Sequence, residues 1–375
     1  MPNVSAYKEI ILSLNNLKEK STYYEENWAG IELKGDYDNT IFQKYRDIYG
    51  LLSRLSCESF VKFWFDSDEV DLDGVEDYES KPNSYFESKL TFNKQGLLEK
   101  SFNQIYQSFF LTSDSCEKWL SPLNPLDENS PLNRFSPLYI YVKDLENKIG
   151  NDILALVPFD FDVKLLPIQP ISYLPTIKSI KESVHFISDI KTSFNLNTYA
   201  LEAADYDSKL GRAMLKQSSI ILSISIVDEF YDFDKVILNG LRRLSLPVYD
   251  ASDNCTYQFV GSLVQLVKWI YEDRVNTRKK LFNERLTLEA DDSKTLIKAL
   301  QLHLGDSLEQ AKERYNFVIL DRKDAYVKEL KDLLKDLRAQ SDLYSQKIRG
   351  LLSNFLRDVL AALVLVGFTI FTKFT

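Results

Sequence analysis

The chain has 375 residues, 45% of them hydrophobic, and a formal net charge of −9. That length and apolar content support more than one packed core and exclude an intrinsically disordered chain. The acidic balance argues against general binding to nucleic-acid phosphates, which takes a basic surface.

Gly and Pro are sparse, at 12 and 11, which favours long helices over turn-rich β architecture. Residues 6–20 carry Ile10, Ile11, Leu14 and Leu17 at helical spacing, and the aromatic-rich stretch 39–65 reads as a second helix. An acidic run over 66–79 follows, and a third helix is expected over 96–110. Four prolines between 121 and 138 mark a linker. Beyond it the texture changes to short β-branched or apolar runs, with strands expected over 138–142, 153–157, 162–166 and 219–227. Helices are expected between them over 178–188 and 208–217, with another near 234–244. From residue 256 the pattern is helical almost to the end. Ile297, Leu300, Leu304, Leu308, Ala311, Tyr315 and Val318 share one face at 3-4 spacing.

The next stretch keeps that spacing. Val327, Leu330, Leu334, Leu337, Tyr344, Ile348, Leu351 and Phe355 make four heptad steps with one polar insertion, Ser341. This predicts either self-association as a coiled coil or packing of the stretch back onto 293–319. Residues 359–372 then run without a charge. Val359, Leu360, Leu363, Val364, Leu365, Val366, Phe368, Ile370 and Phe371 are the residues expected to enter a bilayer. The clean run is 14 residues, short of the ~20 a spanning helix needs, and extending it to Leu351 takes in Arg357 and Asp358. Lys347, Arg349 and Arg357 precede the run and Lys373 follows it, a basic bias that places the N-terminal body in the cytoplasm and the tail in the inner membrane as a single pass. The first residues show no basic region before an apolar core, so no secretory leader is expected. Residues 293–375 carry a net charge of +4, leaving −13 for residues 1–292, as suits a basic stalk beside anionic lipid or an ordinary solvated helix.

The expected fold is therefore mainly α with a smaller mixed α/β portion, and a long C-terminal helical stalk ending in one short transmembrane helix. Its parts are an N-terminal helical domain over 1–120, the Pro-rich linker 121–138, a mixed α/β region over 139–255, a helical stalk or hairpin over 256–350, and a membrane segment over 351–375.

Chemistry has little material. Cys57, Cys116 and Cys255 are far apart and in no CxxC pattern, so neither a disulfide framework nor a zinc site is expected, and the only histidines are His185 and His303. Glu69-x-Asp71-x-Asp73-Gly74 has the alternate oxygens of a calcium loop, but its twelfth position is Ser80 where that loop needs a bidentate Glu. Glu87-Ser-Lys89, with Asp73 and Asp77 upstream, has the order of a metal-dependent nuclease, and Glu79-Ser-Lys81 repeats the pattern as chance would. Asp160 and Asp162 follow an apolar run, where carboxylates bind magnesium and phosphate or simply form a turn. No Gly-rich phosphate loop, Gly-x-Ser-x-Gly or HExxH occurs. No cofactor, metal or catalytic residue is assigned.

The order of parts is similar to that of bacterial membrane-targeting immune effectors, a likeness of architecture without a shared motif. It implies a membrane-anchored, non-enzymatic sensor or effector in antiviral defence, with membrane lipid, a protein partner or further copies of itself as its partners. The alternatives are a soluble adaptor whose C-terminal helix docks in a partner protein, and a membrane-tethered metal-dependent nuclease.

Overall fold

A computed structural model describes residues 2–36, 39–66, 68–70, 87–99, 106–161, 174–187 and 192–374. The side chains of 2–7, 39, 99, 320–327 and 367–374 lie outside the description. The chain divides into two units, Met1–Ala311 and Lys312–Thr375.

The first unit is mixed α/β with three sheets, which corrects the expectation of a mainly helical chain. The largest sheet lies in the part read as an N-terminal helical domain over 1–120. Strands β1 (Tyr23–Glu26), β2 (Gly30–Asp36), β3 (Val61–Phe65), β4 (Asp68–Val70) and β5 (Glu87–Asn93) pair antiparallel in the order β1-β2-β5-β3-β4. Burial alternates residue by residue in β2 and β5, as it must when one face meets a core and the other meets water. Ile31 lies opposite Phe92, and Leu33 opposite Leu90, which also faces Phe63 on its other side. Helices α1 (Pro2–Lys18) and α2 (Asn39–Arg54) bury Ile10, Ile11, Leu14 and Leu17, and Ile41, Phe42, Tyr45, Ile48 and Leu52, in the same core. The helix expected over 39–65 therefore ends at Arg54. Its last aromatics, Phe63 and Phe65, belong to β3, where alternation with exposed Lys62 and half-buried Trp64 is a strand's period.

The second sheet adds parallel strands β6 (Tyr106–Phe110), β7 (Leu138–Val142) and β9 (Leu154–Pro158), with β8 (Ile149–Gly150) antiparallel at the β9 edge. All five residues of β7 are buried, as in a parallel sheet covered on both faces. Phe109, Leu111, Tyr139, Tyr141, Ala155 and Val157 join the core of the first sheet. The helix expected over 96–110 is replaced by a short helix α3 (Lys94–Glu99) and by β6, whose buried run has no polar face to register a helical period. Helices α4 (Ser113–Leu120) and α5 (Pro131–Arg134) lie between β6 and β7, where Leu126, Leu132 and Phe135 of the proline-rich segment are buried.

Helix α6 (Ile177–Ser183) precedes β10 (His185–Phe186), and α7 covers Lys209–Ile224. The strand expected over 219–227 is the second half of α7. Ser208 caps that helix, its Oγ accepting from the Gly211 N–H at 3.0 Å. Thirteen of its sixteen residues are buried, and a helix buried all round shows the same unbroken apolar run as a buried strand. The helix expected near 234–244 is instead a hairpin of β12 (Val236–Asn239) and β13 (Arg243–Leu246), which extends the third sheet, β10-β11-β12-β13, beyond β11 (Glu229–Phe230). The strand expected over 162–166 lies outside the described residues. Helices α8 (Tyr257–Glu272) and α9 (Val275–Glu289) follow, then α10, a single helix from Leu296 to Phe374.

Among the described residues no helix is long and apolar enough to cross a membrane. This overturns the transmembrane, single-pass and inner-membrane expectations. The physical reason is length. At 1.5 Å per residue the 14 uncharged residues rise about 21 Å against a hydrocarbon core of about 30 Å, and any longer window takes in Asp358 on one side or Lys373 on the other.

Candidate functional site

Helix α10 is preceded by Thr295, whose hydroxyl accepts from the Lys298 N–H at 3.0 Å and donates to Asp253 at 2.8 Å. Of its face read from the 3-4 spacing, Ile297, Leu300, Leu304, Leu308, Ala311 and Tyr315 are buried and Val318 is half-buried, and Leu296 is buried beside them. No proline interrupts it, and Leu, Lys, Ala, Arg and Glu keep helical propensity high along its length.

From Lys328 to Val366 every residue of α10 is exposed. Leu330, Leu334, Leu337, Tyr344, Ile348, Leu351 and Phe355 stand in water on one stripe, with Leu351 at 70% exposure. Leu333, Leu343, Leu352 and Leu356 flank it. Val359, Leu360, Leu363, Val364, Leu365 and Val366 extend it into a zone apolar on every side. The stretch belongs to the same helix, Leu296–Phe374, as the face that begins at Ile297. Lys347, Arg349 and Arg357 are exposed on the same helix. The assignments to Val327, Phe368, Ile370, Phe371 and Lys373 fall outside the described side chains. Each stripe leucine that leaves water for a partner surface gains roughly 2 kcal/mol. A contiguous apolar face of this extent marks an interaction surface.

Among the described residues, those weighed for catalysis form no common cluster. Glu87 and Lys89 lie on β5, but Asp73, Asp77, Glu79 and Lys81 are outside the described residues, as are Asp71, Gly74 and Ser80 of the calcium-like loop. Lys89 Nζ pairs with Glu32 at 3.1 Å on the exposed sheet face and stands over the Trp64 ring. Burial works to raise the Glu32 pKa, and hydrogen bonds from Lys34 and Lys89 outweigh it and hold the carboxyl below the usual range. Asp160 follows β9, and Asp162 is outside the described residues. His185 sits exposed on β10, and His303 Nδ1 lies 3.2 Å from Glu289. Cys57, Cys116 and Cys255 are free and buried. Among the described residues no cluster of His, Cys, Asp and Glu is arranged to hold a metal ion.

Two features escape sequence reading. A cleft of about 300 Å³ opens beyond the carboxyl ends of β6 and β7, lined by Asp114, Asp144, Glu146, Asp205 and Lys209. That is where open α/β sheets bind ligands, but Asp144 uses both oxygens on Ser113, accepting from its N–H at 2.7 Å and its hydroxyl at 2.9 Å. The carboxylate thus anchors the first turn of α4.

The other is a buried ion pair. Lys94 Nζ lies 3.0 Å from Glu26 Oε1, with the two side chains 1% and 0% exposed, and donates to the Phe109 carbonyl at 2.8 Å. The ammonium sits 3.7 Å from the centroid of the Phe110 ring. Glu26 also accepts from the Leu111 N–H and from the Tyr24 hydroxyl. Burial pushes the Lys94 pKa down, while Glu26 opposes the shift, and burial pushes the Cys116 thiol and the Tyr24 hydroxyl up. Every polar group of the pair is engaged with the protein, so the arrangement ties β1 and α3 of the first sheet to β6 of the second. Neither residue carries a local signal: Glu26 ends a Tyr-Tyr-Glu-Glu strand, and Lys94 opens the short helix α3.

Comparison of the chain with protein-family models, with curated proteins and with solved structures finds no match.

Proposed function

We propose that this is a non-enzymatic assembly protein whose C-terminal helix takes a helical protein partner along its apolar stripe. The single observation that carries this reading is the complete exposure of Lys328–Val366 together with a heptad-spaced row of Leu, Ile, Tyr and Phe. A row of this kind matches the seam of a coiled coil, in which each knob enters a hole on the facing helix. Left in water, it would be an aggregation liability of several hundred Å². Among the described residues of the first unit no cluster of His, Cys, Asp and Glu is arranged to hold a metal ion, which is compatible with a scaffolding role for that unit.

The test is cross-linking mass spectrometry in the producing cell through Lys331 and Lys347, which flank the stripe. Intermolecular links from these lysines are expected in the wild-type chain and are expected to vanish in Leu334→Glu/Leu351→Glu. Links that persist unchanged in the double variant would overturn the assignment of the stripe.

A further inference from the structure

We infer that the occupant of the stripe is a second copy of this chain, lying parallel and in register. The inference rests on the assembly role proposed above and names its partner.

The first argument is the matching of layers. Leu334, Ser341, Ile348 and Phe355 take the first core position of successive heptads, and Leu330, Leu337, Tyr344 and Leu351 the fourth. In a parallel, in-register pair each layer meets its own copy. The polar layer is then Ser341 against Ser341, where each hydroxyl can donate to the other. Any slip by a heptad sets Ser341 against Leu334 or Ile348 and loses the contact between the two hydroxyls, which is how a polar core position selects register.

The second argument is charge. The positions flanking the core carry Lys331, Arg338 and Lys347 and no acid. In the parallel pair these face uncharged groups: Arg338 meets Leu333 of the other copy, and Lys347 meets Leu352. Self-pairing therefore meets no like-charge contact.

The third argument selects the orientation. Beyond Leu351 the apolar surface widens, through Leu352, Leu356, Val359, Leu360, Leu363 and Val364, from a stripe to the whole circumference. A parallel arrangement gathers these ends together, where each covers the others. An antiparallel arrangement with the same overlap, in which Leu334 meets Leu351, would set residues 359–366 beside the sequence stretch 319–326, which includes Asp321, Arg322, Lys323 and Asp324. That placement would bury charges against leucine and valine.

The area is sufficient. The fractional exposures of Leu330, Leu334, Leu337, Tyr344, Ile348, Leu351 and Phe355 run from 43% to 70%. They sum to about 800 Å² per copy, the contribution each partner makes to a stable interface of ordinary size.

The test uses the full chain. Its native cysteines are buried, so single variants Leu337→Cys and Leu351→Cys report on the helix alone. Sedimentation up to roughly 100 µM is expected to give a mass of at least two 43.5 kDa chains. Both cysteine variants are expected to form a covalent dimer on mild oxidation, and Leu334→Glu/Leu351→Glu to sediment as a monomer with an unaltered unfolding midpoint. A wild-type monomer over that range overturns the second copy as occupant. If the lysine cross-links to another protein still depend on Leu334 and Leu351, the assembly role survives that result. An oligomer in which neither cysteine variant cross-links overturns the parallel register. An oligomer that survives the double glutamate variant overturns both the inference and the proposed function.

Discussion

Replacing Lys94 by Met tests how the first two sheets are held together. The ammonium it removes is the Glu26 carboxylate's cationic partner at 3.0 Å, in a place where the two side chains are 1% and 0% exposed. The variant leaves an anion with the Leu111 N–H and the Tyr24 hydroxyl as its donors, and takes the Lys94 donor from the Phe109 carbonyl. Breaking a buried pair from one side costs about 3–5 kcal/mol, because the remaining charge is neither solvated nor compensated. Glu26→Gln, which strands the ammonium instead, falls in the same range, about 3–5 kcal/mol. The double variant Glu26→Gln/Lys94→Met carries no buried charge, and the amide oxygen still accepts from Leu111. It is expected to be less destabilised than the sum of the singles by at least about 2 kcal/mol. Urea unfolding followed by tryptophan fluorescence reads this directly, since Trp28 and Trp119 stack with ring centroids 4.6 Å apart on elements joined by this network. Two single variants that each cost under about 1 kcal/mol, or a double variant equal to their sum, would refute the reasoning.

Tyr45 and Tyr271 are each pushed by burial up to about 12. The unfolded chain releases these protons near pH 10 and the folded chain holds them to about pH 12, so the stability present below pH 10 falls as pH rises between those values. The difference in absorbance at 295 nm between the chain and its Tyr45→Phe/Tyr271→Phe variant, which cancels the other tyrosines, is expected to show these two ionising together with loss of structure, and a difference that titrates at pH 10 in a folded chain would contradict their burial. Leu334→Glu/Leu351→Glu is expected to change the stability of the first unit by less than about 0.5 kcal/mol, since both positions are exposed; a larger loss in thermal unfolding would mean that the stripe contributes to the fold. Gly150→Ala is expected to cost about 1–3 kcal/mol in denaturant unfolding, because φ is +112° and a Cβ would stand 2.2 Å from the Leu154 carbonyl oxygen. A neutral Gly150→Ala would show that β8 and β9 move apart without penalty.

Sequence reading worked where the deciding forces are local. The face from Ile297 to Tyr315 and the stripe from Leu330 to Phe355 follow from residues three and four apart on a helix, and both are present. Strand Leu138–Val142 was legible because a short β-branched and aromatic run bounded by proline has few other folds. The failures share a cause. Phe63 and Phe65, Tyr106–Phe110 and the second half of Lys209–Ile224 are all buried stretches whose period is hidden by aromatic content or by burial of polar as well as apolar residues. The membrane segment failed on a magnitude. Its 14 uncharged residues fall short of the bilayer, and adding Arg357 and Asp358 does not lengthen the apolar run.

From sequence alone come the acidic balance, the lack of catalytic motifs, and a C-terminal helix with a heptad row and an apolar end. Each is a property of composition or of neighbours within two helical turns. Tertiary structure alone decides that the first 120 residues build a sheet, that Glu26 reaches Lys94 across 68 positions of chain, and that the stripe beyond Lys328 lies in water. Those outcomes depend on which distant segment covers a given face. A periodic apolar row looks the same in sequence whether its partner lies in the same chain or in another.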